Sequence, residues 1–305
     1  SLPLGKGRGW ASFYYYLKDE GLRESTIREH IKNLEHFKQW ARENELITDE
    51  SGQAGIGQIN YNELLGYVQW LKKQSLSTHT VNIRINSIRK YYEHLKQEGH
   101  IEINPAKRLF IKGATKKVIH NPLSYAELEE LYTQYTQYIE QKPVREEKHR
   151  QSNLRNKVVL GLMIWQGVHS GELDKMEIKN VNLKNGTVYI PGAARGQSRE
   201  LKLETAQIIP LHEYLNRLPA TQTKLFSAVM HNVVQYLTEE LKGINPVIKN
   251  AQHIRASVIL HWLKMYGKRQ VQYMIGHKWI SSTEHYEIQE LTGLTDLLAK
   301  HHPFS

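Results

Sequence analysis

"GHKWISSTEHY", residues 276–286, places a tyrosine nine positions after a histidine, with a loop of hydroxyl side chains between them. The fold turns on whether Tyr286 is a packed aromatic or a phenol set to attack. Upstream, "QHIRASVILHWLKMYGKRQVQYMI" (252–275) reads as two helices broken at Gly267. The first has an apolar face of Ile254, Val258, Ile259, Trp262, Leu263 and Tyr266. Arg255 falls beside that face near the helix start. There a forked, always-charged guanidinium and free backbone N–H groups can converge on one anion. Gly276-His277 should end the second helix, and Ser282 or Thr283 should cap a last helix with Tyr286 in its first turn.

The chain of 305 residues is long enough for two cores. It carries 41 Lys+Arg against 31 Asp+Glu, a formal charge of +10, with a basic excess in both halves. Such a surface favours a polyanionic partner through phosphate neutralisation and counterion release. The absence of cysteine excludes disulfide scaffolds, thiolate metal sites and cysteine nucleophiles. His261, His285, His301 and His302 have no metal-ligand spacing, so no metal is expected. No apolar run nears the ~20 residues that cross a bilayer, and no leader pattern opens the sequence. The expectation is a soluble cytoplasmic protein, nucleoid-associated if bacterial, with no membrane partner.

The first hundred residues read as helices. "STIREHIKNLEHFKQWARENELI" places Ile27, Ile31, Leu34, Phe37 and Ala41 on one stripe, with Ser25 or Thr26 as N-cap. "STHTVNIRINSIRKYYEHLKQEGH" turns Val81, Ile85, Ile88, Tyr92 and Leu95 inward, leaves Arg84, Arg89 and Lys90 as candidate DNA contacts, and stops at Gly99. The basic, aperiodic stretch 103–122 contains the interdomain connection. The expected division is a helical domain at 1–107, a linker at 108–122 and a mixed domain at 123–305. In the latter, Ser124 and Glu127 have capping-box spacing, and "TVYI" with "RELKL" predicts one β-hairpin among helices. The fold class is mainly α with a small β-sheet, α+β.

Arg255, 22 positions before His277, and Tyr286, nine after it, resemble the tyrosine recombinases, the phage integrase family, whose pattern is His-x-x-Arg, then Gly-His, then Tyr. "NPA" at 104–106, the corner "GVHSGEL" at 167–173, the hairpin and the helical first module extend the resemblance over most of the chain. It implies a two-domain architecture, a helical SAM-like DNA-clamping domain and a catalytic domain closing on duplex DNA as a C-shaped clamp. Tyr286 would attack a phosphodiester and form a 3′-phosphotyrosyl link without cofactor or metal. Arg255 and His277 would be donors to the phosphate. The resemblance also implies a homotetramer on DNA from a chain that can be monomeric in solution, helped by DNA-bending accessory proteins. A terminal helix carrying Leu291, Leu294, Leu297 and Leu298 would dock on a neighbouring protomer.

The chain departs from the family pattern at three places. His169 stands where the family has its first catalytic arginine, and an imidazole offers neither full charge nor a fork at neutral pH. Arg195, Arg199 and Lys202 lie around the family's hairpin lysine and could bring a replacement cation; Arg195, in the lysine's place, is a poor proton donor. Three residues before Arg255 stands Gln252, with His253 next to it, and either could take the histidine's place. Glu172 reads as a buttress for a neighbouring basic residue. Two readings follow: a site-specific recombinase of integrating, excising or inverting type, as on mobile elements, or a cleavage-impaired DNA-binding protein of the same fold.

Overall fold

The computed structural model describes residues 10–48, 52–113, 121–142, 147–193 and 196–287. The chain divides into two compact units, Ser1–Lys116 and Lys117–Ser305.

The first unit contains α1 (Ala11–Asp19), α2 (Glu24–Glu43), α3 (Gly52–Gln58), α4 (Tyr61–Lys73) and α5 (Thr78–Gln97). The stripes expected on α2 and α5 meet in its core, where Ile27, Ile31, Leu34, Phe37, Val81, Ile85, Ile88 and Tyr92 are buried. Helix α2 starts earlier than expected, after an uncapped Arg23, with Glu24 in the first turn where the helix dipole favours a carboxylate. Gly99, at φ 76°, ends α5 in the left-handed conformation. Leu109 is buried in this core and Ile111 packs against it. Ile111 also exchanges two backbone hydrogen bonds with the Asn82 side chain, each 3.0 Å. The stretch expected to be a free tether from residue 108 is therefore anchored to the first unit as far as 111.

The second unit opens with α6 (Tyr125–Gln141) and α7 (Glu147–Trp165), then a single turn, α8 (Ser170–Leu173). Next come β1 (Val181–Asn182), β2 (Thr187–Ile190) and β3 (Arg199–Lys202), followed by α9 (Thr205–Asn216), α10 (Met230–Ile244), α11 (Ala251–Met265) and α12 (Lys268–Ile275). Residues 280–287 begin a last helix. The Ser124–Glu127 capping box forms as its spacing predicts. The hairpin β2–β3 is present, and a two-residue strand, too short for a sequence signal, extends it to an antiparallel sheet of order β1-β2-β3. Val188 pairs with Leu201 and Ile190 with Arg199. Val188 and Ile190 are buried, so this register turns Arg199 inward and leaves Lys202, opposite Thr187, on the outer face. The core is completed by Leu128, Tyr135, Val159, Leu162, Leu237, Ile254 and Ile259 from the surrounding helices. Among the described residues no helix is long and apolar enough to cross a membrane.

Candidate active site

Helix α11 begins at Asn250, whose side chain caps the His253 N–H at 2.9 Å. Regular helix from this cap puts Gln252 and Arg255 on one face, three residues apart. The Arg255 guanidinium donates to the Gly167 carbonyl and, at 2.9 Å, to the Ile275 carbonyl. It thereby ties α11 to the turn after α7 and to the end of α12.

The 167–173 corner supplies a buried carboxylate. Glu172 is 1% exposed and accepts from Arg199 Nη1 at 2.5 Å and Nη2 at 3.3 Å, from Arg255 Nη1 at 3.3 Å and from the His169 backbone N–H at 3.0 Å. Burial pushes the Glu172 carboxyl upward, but the hydrogen bond and charge of Arg199, with Arg255, outweigh it and hold the group below the usual carboxylate range. One ionised carboxylate faces two guanidinium groups, so the cluster is net positive. A buried arginine is tolerable only with such a partner.

His169 caps the α8 turn: its Nδ1 accepts from the Gly171 N–H at 3.1 Å. The neutral ring must then carry its proton on Nε2, which lies 3.8 Å from Glu172 Oε2. Burial lowers its pKa, against the pull of Glu172. His169 therefore offers a neutral donor at neutral pH.

The Gly276-His277 loop is joined to the hairpin by a bridge between Gly196 and His277 and by a 2.9 Å bond from the Gln197 N–H to the Gly276 carbonyl. His277 Nδ1 lies 3.0 Å from Thr283 Oγ1. Burial, then the charges of Arg255 and Arg199, push this imidazole down to about 4. Its ring stacks beside Tyr286 with centroids 6.0 Å apart. Burial raises the Tyr286 phenol, while the Arg255 charge and a hydrogen bond with Gln252 pull it back. The last helix starts at Ile280, not after the expected Ser282 or Thr283 cap. Thr283 is fully buried and faces His277, so Tyr286 falls in the second turn.

Two clefts meet at this point. One of about 670 Å³ is lined by Gln252, Arg255, His169, Tyr286 and residues of α10 such as Gln235 and Lys242. The other, about 740 Å³, shares His169, Arg255 and Tyr286 and adds His277, Lys278 and Trp279. A desolvated phenol beside a cation and several neutral donors suits attack on a phosphoryl centre, where charge builds on non-bridging oxygens.

Five of the expected residues thus line one place: Tyr286, Arg255, His277, Gln252 and His169. His253 does not join them; it is buried with Nε2 3.0 Å from the Asn121 carbonyl oxygen, because the helical start turns it away from Arg255. Lys202 is on the outer sheet face, and Arg195 and the Leu291–Leu298 stripe lie outside the described residues. Arg199 sits behind the clefts on Glu172. In the first unit, Arg89 is spent on the Leu109 and Ala106 carbonyls at 2.6 and 3.3 Å, and Lys90 on Glu20. Arg84 is half-buried, with Nη1 2.9 Å from His36 Nε2. Thr283, Lys278 and Trp279 were missed as site residues, since only the tertiary return of the loop gives them a role. Among the described residues, no group of three or more potential metal ligands is assembled.

Residues 11–99 match the phage integrase N-terminal SAM-like domain. Over nearly full length the chain is 22% identical to tyrosine recombinase XerC of Oceanobacillus iheyensis, covering 96% of this chain and 95% of the relative. It is 23% identical to tyrosine recombinase XerD of Vibrio cholerae, covering 93% and 92%. Among solved structures it resembles the XerH site-specific recombinase bound to difH substrate in a pre-cleavage complex, with TM-score 0.66, 18% identity and coverage of 87% and 78%. It also resembles a lambda integrase dimer bound to a COC′ core site, with TM-score 0.64, 15% identity and coverage of 90% and 74%. At these identities the solved structures speak for the fold, a two-domain mainly helical one with a small sheet. With the matched first domain, the full-length relatives make this chain similar to the tyrosine recombinases along nearly its whole length, with histidine where that pattern has its first arginine.

Proposed function

We propose that the protein is a site-specific DNA recombinase that cuts and rejoins strands through a 3′-phosphotyrosyl intermediate. The observation that carries this reading is the convergence of Tyr286, Arg255, His277 and Gln252 on one pair of clefts. Tyr286 Oη attacks the scissile phosphorus and loses its proton. The bond from phosphorus to the 5′-oxygen breaks, and that oxygen takes up a proton to become a 5′-hydroxyl. The reverse attack by a 5′-hydroxyl rejoins the strand, so no nucleotide is consumed. Arg255, His277, Gln252 and the His169 Nε2–H are the donors to the non-bridging oxygens.

The segments 1–107 and 123–305 act as DNA-clamping and catalytic domains, with 108–122 between them. Arg84 is the DNA contact best supported in the first domain, because no carboxylate is paired with it among the described residues. Assembly as a homotetramer on DNA, DNA-bending helpers and a cytoplasmic location belong to the same reading.

The test is incubation with nicked duplexes, without metal, followed by denaturation. Wild type should leave a protease-sensitive protein–DNA adduct and Tyr286→Phe none. His169 favours a second reading, a cleavage-impaired binder of the same fold. Tight binding by wild type with no adduct on any bound duplex would select it.

A further inference from the structure

The corner lacks an arginine at 169, yet the carboxylate that accompanies that position is ion-paired. Its partner comes from elsewhere in the sequence: Arg199, on the inner face of β3, closes both Nη groups on Glu172 with a side chain that is 0% exposed. The neighbouring backbone is shaped around this guanidinium. Gly276 has φ 74°, and a Cβ there would collide with Arg199 Nη1. A charged side chain turned inward opposite Ile190 would otherwise be an error of patterning in a strand.

Resting on the function proposed above, we infer that Arg199 replaces the cation lost at position 169, acting from inside the protein as a positioning residue. Being buried, it does not touch the phosphate. It neutralises Glu172, so that the charge of Arg255, which also contacts that carboxylate at 3.3 Å, remains available to the substrate. Without Arg199, Glu172 and Arg255 would sum to zero, and the buried cluster would lose the net charge it presents beside Tyr286. The assignment also explains why position 169 can be a neutral imidazole that spends Nδ1 on capping.

The reporter is His277, which faces Arg255 of α11, Arg199 of β3, Glu172 and His169 of the corner, and Tyr286 of the last helix. Arg199→Met should slow adduct formation on nicked duplexes by about 100-fold and move the His277 titration, followed by NMR, upward. Because this substitution leaves a buried carboxylate less well paired, two further variants guard against simple misfolding. Glu172→Gln with Arg199→Met restores the charge sum, and His169→Arg with Arg199→Met moves the cation to the corner. Both should recover most of the rate and return the His277 titration toward its wild-type position. Arg199→Met cleaving at the wild-type rate would overturn the inference. So would folded double variants that cleave no faster than Arg199→Met. If wild type itself forms no adduct, the functional reading fails and the His277 titrations alone decide whether Arg199 sets the charge of the site; unmoved titrations overturn it.

Discussion

Each unit buries a polar cluster, and the two clusters end differently. In the first, His30 Nδ1 and Asn33 Nδ2 converge on Ser87 Oγ at 2.9 and 3.0 Å, and Ser87 donates to the Ile83 carbonyl at 3.2 Å. The cluster is neutral and closes on itself between α2 and α5. In the second, Glu172, Arg199 and Arg255 form a charged cluster that opens through Arg255 and His169 onto two clefts. Among the described residues, Arg199 Nε is buried without a hydrogen-bond partner. A closed neutral network specifies packing, whereas an open charged one is worth its desolvation only if something binds it. Charge and openness, more than burial, separate the functional cluster from the structural one.

The comparison breaks most visibly at Glu172. Replacing it with Ala leaves two guanidinium groups without their carboxylate, and urea denaturation should show a loss of about 3–5 kcal/mol. Gly276→Ala comes next. A Cβ at φ 74° against Arg199 should cost about 1–3 kcal/mol and slow cleavage, since the substitution displaces the guanidinium. Ser87→Ala should cost about 1–2 kcal/mol by stranding His30 and Asn33, with the adduct rate of the folded fraction unchanged. A change in that rate would mean that the first cluster is not merely structural.

A pH measurement sharpens the same contrast. His277 titrates at about 4 in the folded chain, below its unfolded value near 6.5. The unfolded state therefore binds more protons between these values, and stability falls as pH drops through this window. His277→Asn should flatten that part of the profile of thermal midpoint against pH; an unchanged slope would remove His277 as its source. The smallest effect is expected at Lys90→Ala, whose ion pair with Glu20 is partly exposed and worth about 0–1 kcal/mol; DNA affinity should barely change.

How much was legible beforehand follows from the range of each signal. The stripes of α2 and α5, the Ser124 capping box and the β2–β3 hairpin are local patterns, and they form as their periodicity requires. The i, i+3 relation of Gln252 to Arg255 was also local and favoured Gln252 over His253. The partner of Glu172 was only half legible: a buttressing role for a neighbouring basic residue could be read from "GEL", while the three hairpin cations were read as replacements for the arginine missing at position 169. Strand parity decided among those described, because Arg199 and Lys202 fall on opposite faces and the register that says which is inward is tertiary. Arg89 illustrates the reverse error. It falls on the helix side left for solvent or phosphate, yet a chain segment 17 to 20 residues away folds back to use it.

The most direct measurement is the site of attachment. Nicked duplex carrying a short 3′-side strand is incubated with the protein, digested with nuclease and trypsin, and the peptides are weighed. The account predicts a nucleotide mass on the peptide that begins at Trp279, localised to Tyr286. A nucleotide on any other peptide, or an adduct that survives Tyr286→Phe, would contradict it.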